Sequence, residues 1–183
     1  MPEASGTTSS WGAAVDFSWH TDNPNWPFAS QACDIQACVP NFLAFTAVRN
    51  HESASTDFVC VDQILEQLPC WVIAELSRPA YLFSAPSSNE GFDGQIRIFP
   101  ILEYDGVVNC MRFDEGIVTA VDQLSAEALD ILRRYLRGTQ GTQIVLQPGD
   151  FFIFKNPQIL HRRKAFEPLP EGKARWLRRT YGR

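Results

Sequence analysis

Short apolar stretches separated by polar turns run along most of the chain, and this pattern predicts a protein built mainly from β-strands. The stretch "NFLAFTAVRN" (41–50) has the length and the phenylalanine and valine content of a strand. "QIRIFPILEY" and "VVNCMRF" flank an Asp-Gly pair, which is the usual signal of a β-hairpin. "TQIVLQPGDFFIF" predicts two strands around a Pro-Gly turn, and "ARWLRRTYG" predicts a last strand with alternating faces.

One segment follows a helical pattern instead. "SAEALDILRRYLRG" (125–138) places leucines at i, i+3 and i+7, which puts them on one face of a helix. Ser125 is the expected N-cap, and Gly138 is expected to end the helix. A shorter helix is predicted where "FVCVDQILEQL" changes from strand to helix, while residues 71–94 are ambiguous. The pattern therefore favours a β-sandwich or barrel with a few helices over a parallel α/β fold, which would need helices between most strands.

The size and composition fit one globular domain. The chain has 183 residues, of which 45% are hydrophobic and 20% charged. Residues 1–10 are expected to be a flexible N-terminus, because they carry neither the positive nor the apolar region of a signal peptide. No uninterrupted apolar run is long enough to cross a bilayer. The five cysteines form no CxxC pair, and we expect free thiols in a reducing cytoplasm.

The charge distribution bears on the partners. A net charge of −5 argues against a nucleic-acid partner, because binding to phosphates needs a basic surface. The C-terminal segment from Arg162 to Arg183 is the exception, since it contains eight lysines and arginines. That local basicity fits either a solvated face or a site for small anions.

The candidate chemistry begins at "SWHTDNPNW" (18–26), where a predicted strand runs into a turn that contains His20 and Asp22. On an extended segment these two side chains lie on the same side, because strand side chains repeat every two residues. Two histidines and one carboxylate form the facial triad of non-haem Fe(II) oxygenases. The chain has three histidines, so the third ligand would be His51, in a polar loop, or His161. His-x-Asp is common by itself, and these residues alone leave an ordinary polar turn open.

The surroundings of His161 carry a more specific pattern. "LQPGDFFIFKNPQILHRRKAFEPLPEGKARWLRRTYG" resembles the C-terminal part of the Fe(II)/2-oxoglutarate-dependent oxygenases of the taurine dioxygenase-like superfamily. It is most similar to the clavaminate synthase-like group, which includes arginine and asparagine oxygenases. "HTD" and the later "PNFLAFTAVRN" resemble that group's first ligand pair and next core strand, so the resemblance runs from about Trp11 to the C-terminus. The matching residues near His161 are Gly149, Asp150, Asn156, His161, Arg163, Ala165, Phe166, Arg175, Trp176, Leu177 and Arg179.

The resemblance implies a double-stranded β-helix, a cupin-like jelly roll, with residues 11–183 as a single oxygenase core. Its cofactor would be Fe(II), with 2-oxoglutarate as cosubstrate and O2 as oxidant. His20, Asp22 and His161 would bind the metal and form the catalytic centre. Arg175, which lies fourteen residues after His161, would pair with the far carboxylate of 2-oxoglutarate through two parallel hydrogen bonds.

The resemblance also suggests four further residues. Arg179, expected to alternate with Arg175 on one strand face, would support it or hold a substrate carboxylate. Thr56, expected in a loop, would donate a hydroxyl hydrogen bond to 2-oxoglutarate. Asp114 and Glu115 would contact a cationic substrate. The plainer alternatives are surface charges on an edge strand for the arginines and turn acids on a solvated loop for the two carboxylates.

The activity implied is hydroxylation or desaturation of an unactivated C–H bond in a small amino-acid-like substrate, with release of succinate and CO2. Asp22 argues against halogenation, because the related halogenases lack this carboxylate. Two other hypotheses stay open. One is a non-catalytic or partner-dependent jelly-roll subunit with an incomplete pocket, and the other is a cupin-like metal enzyme that does not use 2-oxoglutarate.

Two departures from the group's pattern lead to further expectations. Arg162 follows His161 where the group usually has a small residue, so a long cation would either crowd the metal or point outward. Nineteen residues precede His20, whereas the group carries a substantial segment before its ligand pair. We therefore expect an uncovered sheet edge or apolar face, and a homodimer or a second subunit that covers it.

Overall fold

The computed structural model describes residues 13–28, 38–84, 97–170 and 172–183. The flexible N-terminus expected at residues 1–10 lies outside this part. Three helices occur in the described part: α1 (Val61–Leu65), α2 (Cys70–Leu76) and α3 (Gln123–Gly138). The strands are β1 (Phe17–His20), β2 (Phe42–Arg49), β3 (Thr56–Cys60), β4 (Tyr81–Phe83), β5 (Arg97–Phe99), β6 (Leu102–Tyr104), β7 (Asn109–Met111), β8 (Val118–Ala120), β9 (Thr142–Ile144), β10 (Phe151–Lys155), β11 (Ile159–Arg163) and β12 (Trp176–Gly182). This content confirms a mainly β fold with a few helices.

Two antiparallel sheets form the framework around the candidate site. One has the strand order β1-β11-β3-β9, and the other has the order β10-β2-β12. In the first sheet, His161 of β11 pairs with His20 on one side and with Phe58 on the other. The inner faces of the sheets meet in one apolar cluster, whose buried members are Leu43, Phe45, Ala47, Phe58, Leu146 and Phe154.

The helices enclose a second, larger core beside the sheets. The face of α3 that carries Leu129, Leu132 and Leu136 is buried there, so the predicted leucine stripe is confirmed. The helix ends at Gly138, as predicted, but the predicted N-cap is wrong. Asp122 is the N-cap, because its carboxylate accepts a hydrogen bond from the Ser125 amide at 2.8 Å.

Three other expectations are corrected or refined. The hairpin forms between β6 and β7, but β5 pairs with β4 instead, since Pro100 interrupts the first apolar stretch. Thr56 is the first residue of β3 and not part of a loop. The ambiguous stretch contains α2 and β4, and its last ten residues, 85–94, lie outside the described part.

Two observations concern the chain as a whole. Among the helices of the described part, none is both long and apolar enough to cross a membrane. Cys60, Cys70 and Cys110 are free thiols and Cys38 is buried, whereas Cys33 lies outside the described residues.

Candidate metal centre and cosubstrate pocket

Three potential metal ligands converge where β1 and β11 pair. His20, Asp22 and His161 are each at most 4% exposed, and their ligand atoms lie within 4.8 Å of one another. Oδ1 of Asp22 is 3.6 Å from Nε2 of His20 and 3.7 Å from Nε2 of His161. The cross-strand pairing of the two histidines produces this cluster. His51, the other candidate, is exposed in the loop after β2.

The surroundings of the two imidazole rings suit metal binding. Nδ1 of His20 donates to the Ser18 carbonyl at 2.8 Å, which orients the ring so that Nε2 is the nitrogen available to a metal. That Nε2 is buried and has no hydrogen-bond partner in the described part of the chain. Burial, together with His20 and Arg179, holds the pKa of His161 well below its usual value, so this ring is neutral. A buried His-Asp-His set with an unpartnered ring nitrogen fits a divalent metal such as Fe(II).

Arg179 contacts one of the candidate ligands directly, Asp22. Its Nη1 donates to Oδ2 of Asp22 at 3.0 Å, so the oxygen of Asp22 nearest the histidines is the other one. Arg175 and Arg179 were expected on one face of the same strand, as every second residue of a regular strand is. A register irregularity between Trp176 and Leu177 interrupts that regularity. Both arginines nevertheless line the same cavity.

That cavity has a volume of about 370 Å³ and a cationic wall. Its apolar lining comes from Phe17, Phe45 and Leu177, and its polar lining comes from the two histidines, Thr56 and four arginines. The arginines are Arg162, whose guanidinium is engaged by Asp57 outside the cavity, Arg163, Arg175 and Arg179. A wall of this kind attracts small anions, because guanidinium groups pair well with carboxylates.

Arg175 is the arginine most clearly arranged for such an anion. Its Nη2 donates to the hydroxyl of Thr56 at 2.8 Å, and its buried Nε has no hydrogen-bond partner in the described residues. Burial, reinforced by the neighbouring Arg163, lowers the pKa of Arg175 to about 10. A carboxylate bound in the cavity would stabilise the charged form of the Arg175 guanidinium.

Glu52 holds the backbone that presents Arg175, and the sequence carried no signal for this contact. Its Oε1 accepts hydrogen bonds from the amides of Leu169 and Arg175, at 3.1 and 3.0 Å. Burial raises the pKa of Glu52, but these bonds and the nearby His51 outweigh it, so the pKa is lowered overall. The ionised carboxylate thus fixes both ends of the segment before β12.

The side chain of Arg162 points outward and does not crowd the candidate metal ligands. Its Nε donates to Oδ2 of the fully buried Asp57 at 3.1 Å. Its guanidinium lies 4.4 Å from the centre of the Trp19 ring. Because neighbouring strand residues face opposite ways, this side chain points away from His161.

The carboxylates of the two acidic candidates have partners outside the cavity, although the backbone of Asp114 forms an isolated antiparallel bridge with His20. The Asp114 carboxylate accepts from the Gly116 amide within its own turn, at 2.8 Å. The Glu115 carboxylate accepts from Nε of Arg137 on α3 at 3.0 Å. Neither residue lines the cavity that contains the histidines, although Glu115 lines a neighbouring one of about 180 Å³. Their role in substrate binding stays a prediction.

Two antiparallel sheets with a buried His-Asp-His cluster between their strands define a jelly-roll protein with a candidate metal centre. The sequence model of the family described as "Taurine catabolism dioxygenase TauD, TfdA family" matches residues 47–181, and the chain belongs to that family. The matched region contains Thr56, His161 and Arg175 but not His20 or Asp22, which join the cluster through the β1–β11 pairing.

Several known proteins are similar to this chain. The L-asparagine oxygenase of Streptomyces coelicolor is 28% identical over 144 residues, which are 78% of this chain and 43% of that protein. The L-lysine 3-hydroxylase of Catenulispora acidiphila is 23% identical over 94% of this chain and 47% of its own length. An asparagine oxygenase structure with Fe(II), 2S,3S-3-hydroxyasparagine and succinate superimposes with a TM-score of 0.82 at 23% identity, covering 100% of this chain and 54% of that one. The jelly-roll fold is therefore confirmed, and the chain spans about half the length of these proteins.

Proposed function

We propose that the protein is an Fe(II)- and 2-oxoglutarate-dependent oxygenase that hydroxylates or desaturates an unactivated C–H bond of a small amino-acid-like substrate, releasing succinate and CO2. The observation that carries this proposal is the content of one cavity. Both histidines of the His-Asp-His cluster line it together with Arg175, whose buried Nε is unpartnered in the described part. A metal and a dicarboxylate can therefore occupy neighbouring positions there.

In this proposal His20, Asp22 and His161 would be the protein ligands that hold Fe(II). Bound there, Fe(II) supplies the redox chemistry by which O2 and 2-oxoglutarate oxidise a C–H bond. His20 presents Nε2 because its Nδ1 is engaged by the Ser18 carbonyl. Asp22 presents Oδ1 because its Oδ2 is engaged by Arg179.

Arg175 would bind the far carboxylate of 2-oxoglutarate, with its guanidinium oriented by Thr56. The hydroxyl of Thr56 accepts a hydrogen bond from Arg175, so its own proton is available to the same carboxylate. Arg179 would hold the metal carboxylate and attract the carboxylate of the substrate. A cationic cavity suits an amino acid, and two similar proteins are named for asparagine and lysine.

We further propose that residues 11–183 form one cytoplasmic oxygenase core that works as a homodimer or with a second subunit. The observation behind the assembly is the outward face of the β10-β2-β12 sheet. Phe151 and Ile153 are 61% and 54% exposed there. Exposed apolar side chains on a sheet face favour association, which also favours the alternative of a partner-dependent jelly-roll subunit.

Anaerobic addition of Fe(II) and 2-oxoglutarate tests the main proposal. A weak visible charge-transfer band is expected, with loss of the band in His161→Ala and weakening in Arg175→Ala. His51→Ala is the matched control, because His51 is an exposed histidine outside the cluster. Stoichiometric iron binding without any band would refute the use of 2-oxoglutarate and favour the cupin-like alternative.

The substrate is tested by succinate release in air. Asparagine, lysine and arginine form the first panel, and coupled succinate formation with one of them is expected. The partner-dependent alternative predicts the band without turnover of any panel member until a second polypeptide is added.

A further inference from the structure

Asn156 connects three separate segments of the chain around the metal centre. It is completely buried in the short 3₁₀ turn (Asn156–Gln158) between β10 and β11. Its amide oxygen accepts from the Asp22 amide at 2.9 Å. Its amide nitrogen donates to the carbonyls of Asp22 and Pro40, at 3.0 and 3.2 Å. The side-chain amide therefore makes all of these bonds to backbone groups.

The two bonds to Asp22 act as a clamp. They engage the N–H and the C=O of the same residue, so they hold the peptide groups on both sides of its Cα. The next residue, Asn23, has a φ of 55°, which means that the chain turns sharply immediately after Asp22. The clamp keeps the carboxylate-bearing Cα in place where the backbone changes direction.

Asn156 is itself fixed relative to the histidines. Its backbone N–H donates to the Asn41 carbonyl at 3.0 Å, and its side chain reaches Pro40, just before β2. Five residues later the same chain carries His161 on β11. These contacts fix the backbone of Asp22 relative to the strand that carries His161.

We propose that Asn156 is a positioning residue of the metal centre, which sets metal affinity by holding the backbone of Asp22. The inference rests on the proposed function, since it requires that His20, Asp22 and His161 bind a divalent metal. Partners that orient metal ligands typically contribute 10- to 100-fold in metal affinity, so we expect a loss of about that size when the clamp is removed.

The chain offers a matched control for this residue. Asn50 is also buried, at 2% exposure, and its amide makes the same three kinds of bond. Its oxygen accepts from the Ala54 amide at 3.0 Å, and its nitrogen donates to the carbonyls of Ala54 and Leu146, each at 3.0 Å. Asn50 therefore matches Asn156 in burial and bonding, but its bonds go to a loop and not to a candidate ligand.

The experiment compares Mn(II) affinity in wild type, Asn156→Ala and Asn50→Ala, by electron paramagnetic resonance without 2-oxoglutarate. Both variants are expected to melt at lower temperature, because each loses three side-chain hydrogen bonds. Only Asn156→Ala is expected to bind Mn(II) at least about tenfold more weakly. Wild-type affinity in folded Asn156→Ala, or an equal loss in Asn50→Ala, would overturn the inference.

A second variant keeps the test decisive if the alanine variant does not fold. Asn156→Asp retains an acceptor for the Asp22 amide but loses both donors. The added negative charge alone would strengthen Mn(II) binding, so weaker binding in this variant can be assigned to a displaced Asp22. Affinity equal to or above that of wild type would refute the positioning role. Failure of the wild type to bind Mn(II) would instead refute the proposed function and, with it, this inference.

Discussion

Two arginines, the fully buried Arg112 and the partly buried Arg175, differ in the partners that their charges find. Arg112 is fully buried, pairs with the Glu103 carboxylate and lies between the rings of Phe28 and Phe99. Burial lowers its pKa to about 10, the same value as for Arg175. Arg112 is thus paired with a carboxylate inside the protein, whereas Arg175 lines a cavity, where its guanidinium contacts the neutral hydroxyl of Thr56 and lies 6.0 Å from the centre of the Phe166 ring.

Replacing Thr56 with valine tests this arrangement at a single residue. Thr56→Val preserves the shape of the side chain but removes the hydroxyl that Arg175 contacts at 2.8 Å. A hydrogen bond to a charged group contributes about 1.5–3 kcal/mol, so the Kd for 2-oxoglutarate is expected to rise about tenfold or more. Titration of the charge-transfer band measures this Kd.

Metal affinity is expected to stay unchanged, and Thr180→Val, at an exposed position of β12, is the control. An unchanged Kd would contradict the role given to Thr56.

Residues differ in how far their roles could be predicted from the sequence. His20 and Asp22 could be paired because the two-residue period of a strand is local, and His161 and Arg175 because they stand in a recognisable pattern. Glu52 could not be identified, since its partners Leu169 and Arg175 are 117 and 123 positions away. Contacts of that kind depend on how the sheets close on each other, which no local pattern contains.

At the scale of an element, the turn before β9 depends on one glycine. Gly141 has a φ of +70°, and a Cβ built there would lie 2.6 Å from the Trp19 ring and 2.7 Å from the Phe58 carbonyl oxygen. Gly149 also has a positive φ, of +94°, but it has open space around it. The two positions therefore separate the cost of backbone strain from the cost of a steric clash.

Alanine substitutions at three glycines should show this difference. Gly141→Ala is expected to lower the free energy of unfolding by about 3 kcal/mol or more, because strain and overpacking add. Gly149→Ala is expected to cost about 1–2 kcal/mol from strain alone. Gly138→Ala, at the end of α3 with open space around it, should be neutral or stabilising by up to about 1 kcal/mol. Urea unfolding measures all three, and equal effects at 141 and 149 would contradict the clash.

The N-terminus of α3 gives a prediction that depends on pH. The amide and hydroxyl of Ser125 hold the pKa of Asp122 below its ordinary value of 3.8. The ionised cap therefore stabilises the fold above that value, and the stabilisation is lost as the pH falls through the lowered pKa. The melting temperature of Asp122→Ala should lie furthest below wild type at neutral pH, and the gap should narrow below pH 3.8.

Asp122→Asn is the control for this titration. Its amide oxygen still accepts the Ser125 hydrogen bond but does not titrate, so its melting temperature should show less dependence on acid pH. A gap between wild type and Asp122→Ala that stays constant with pH would contradict an ionised cap. Asp122 and Ser125 are both residue types that favour the N-cap, so the sequence alone could not decide between them. The backbone conformation shows that Asp122 is the cap.

At the scale of the whole molecule, the strand content was predictable and the arrangement of the strands was not. β9 and β10 follow each other in the sequence, yet β9 pairs with β3 and β10 pairs with β2 in the other sheet. Hydrophobic alternation specifies which side of a strand is buried, but not which sheet the strand joins. The jelly roll could be expected only because the residues around His161 resemble those of known oxygenases.

The outward face of the β10-β2-β12 sheet gives a prediction about assembly. Across this face Phe151 lies opposite Thr46 and Ile153 lies opposite Ala44, and β12 adds Arg178 and Thr180 on the other side of Thr46 and Ala44. A lysine at position 153 would place a charge where a second copy buries this face, which is costly. We therefore expect wild type to be a dimer at micromolar concentration and Ile153→Lys to be a monomer, as measured by light scattering after size exclusion.

Val107→Lys is the control, since Val107 is 80% exposed at the β6–β7 turn, away from this face, and it should leave the mass unchanged. A wild-type monomer would refute the homodimer and favour a second polypeptide as the cover, whereas a dimer that survives Ile153→Lys would place the interface elsewhere.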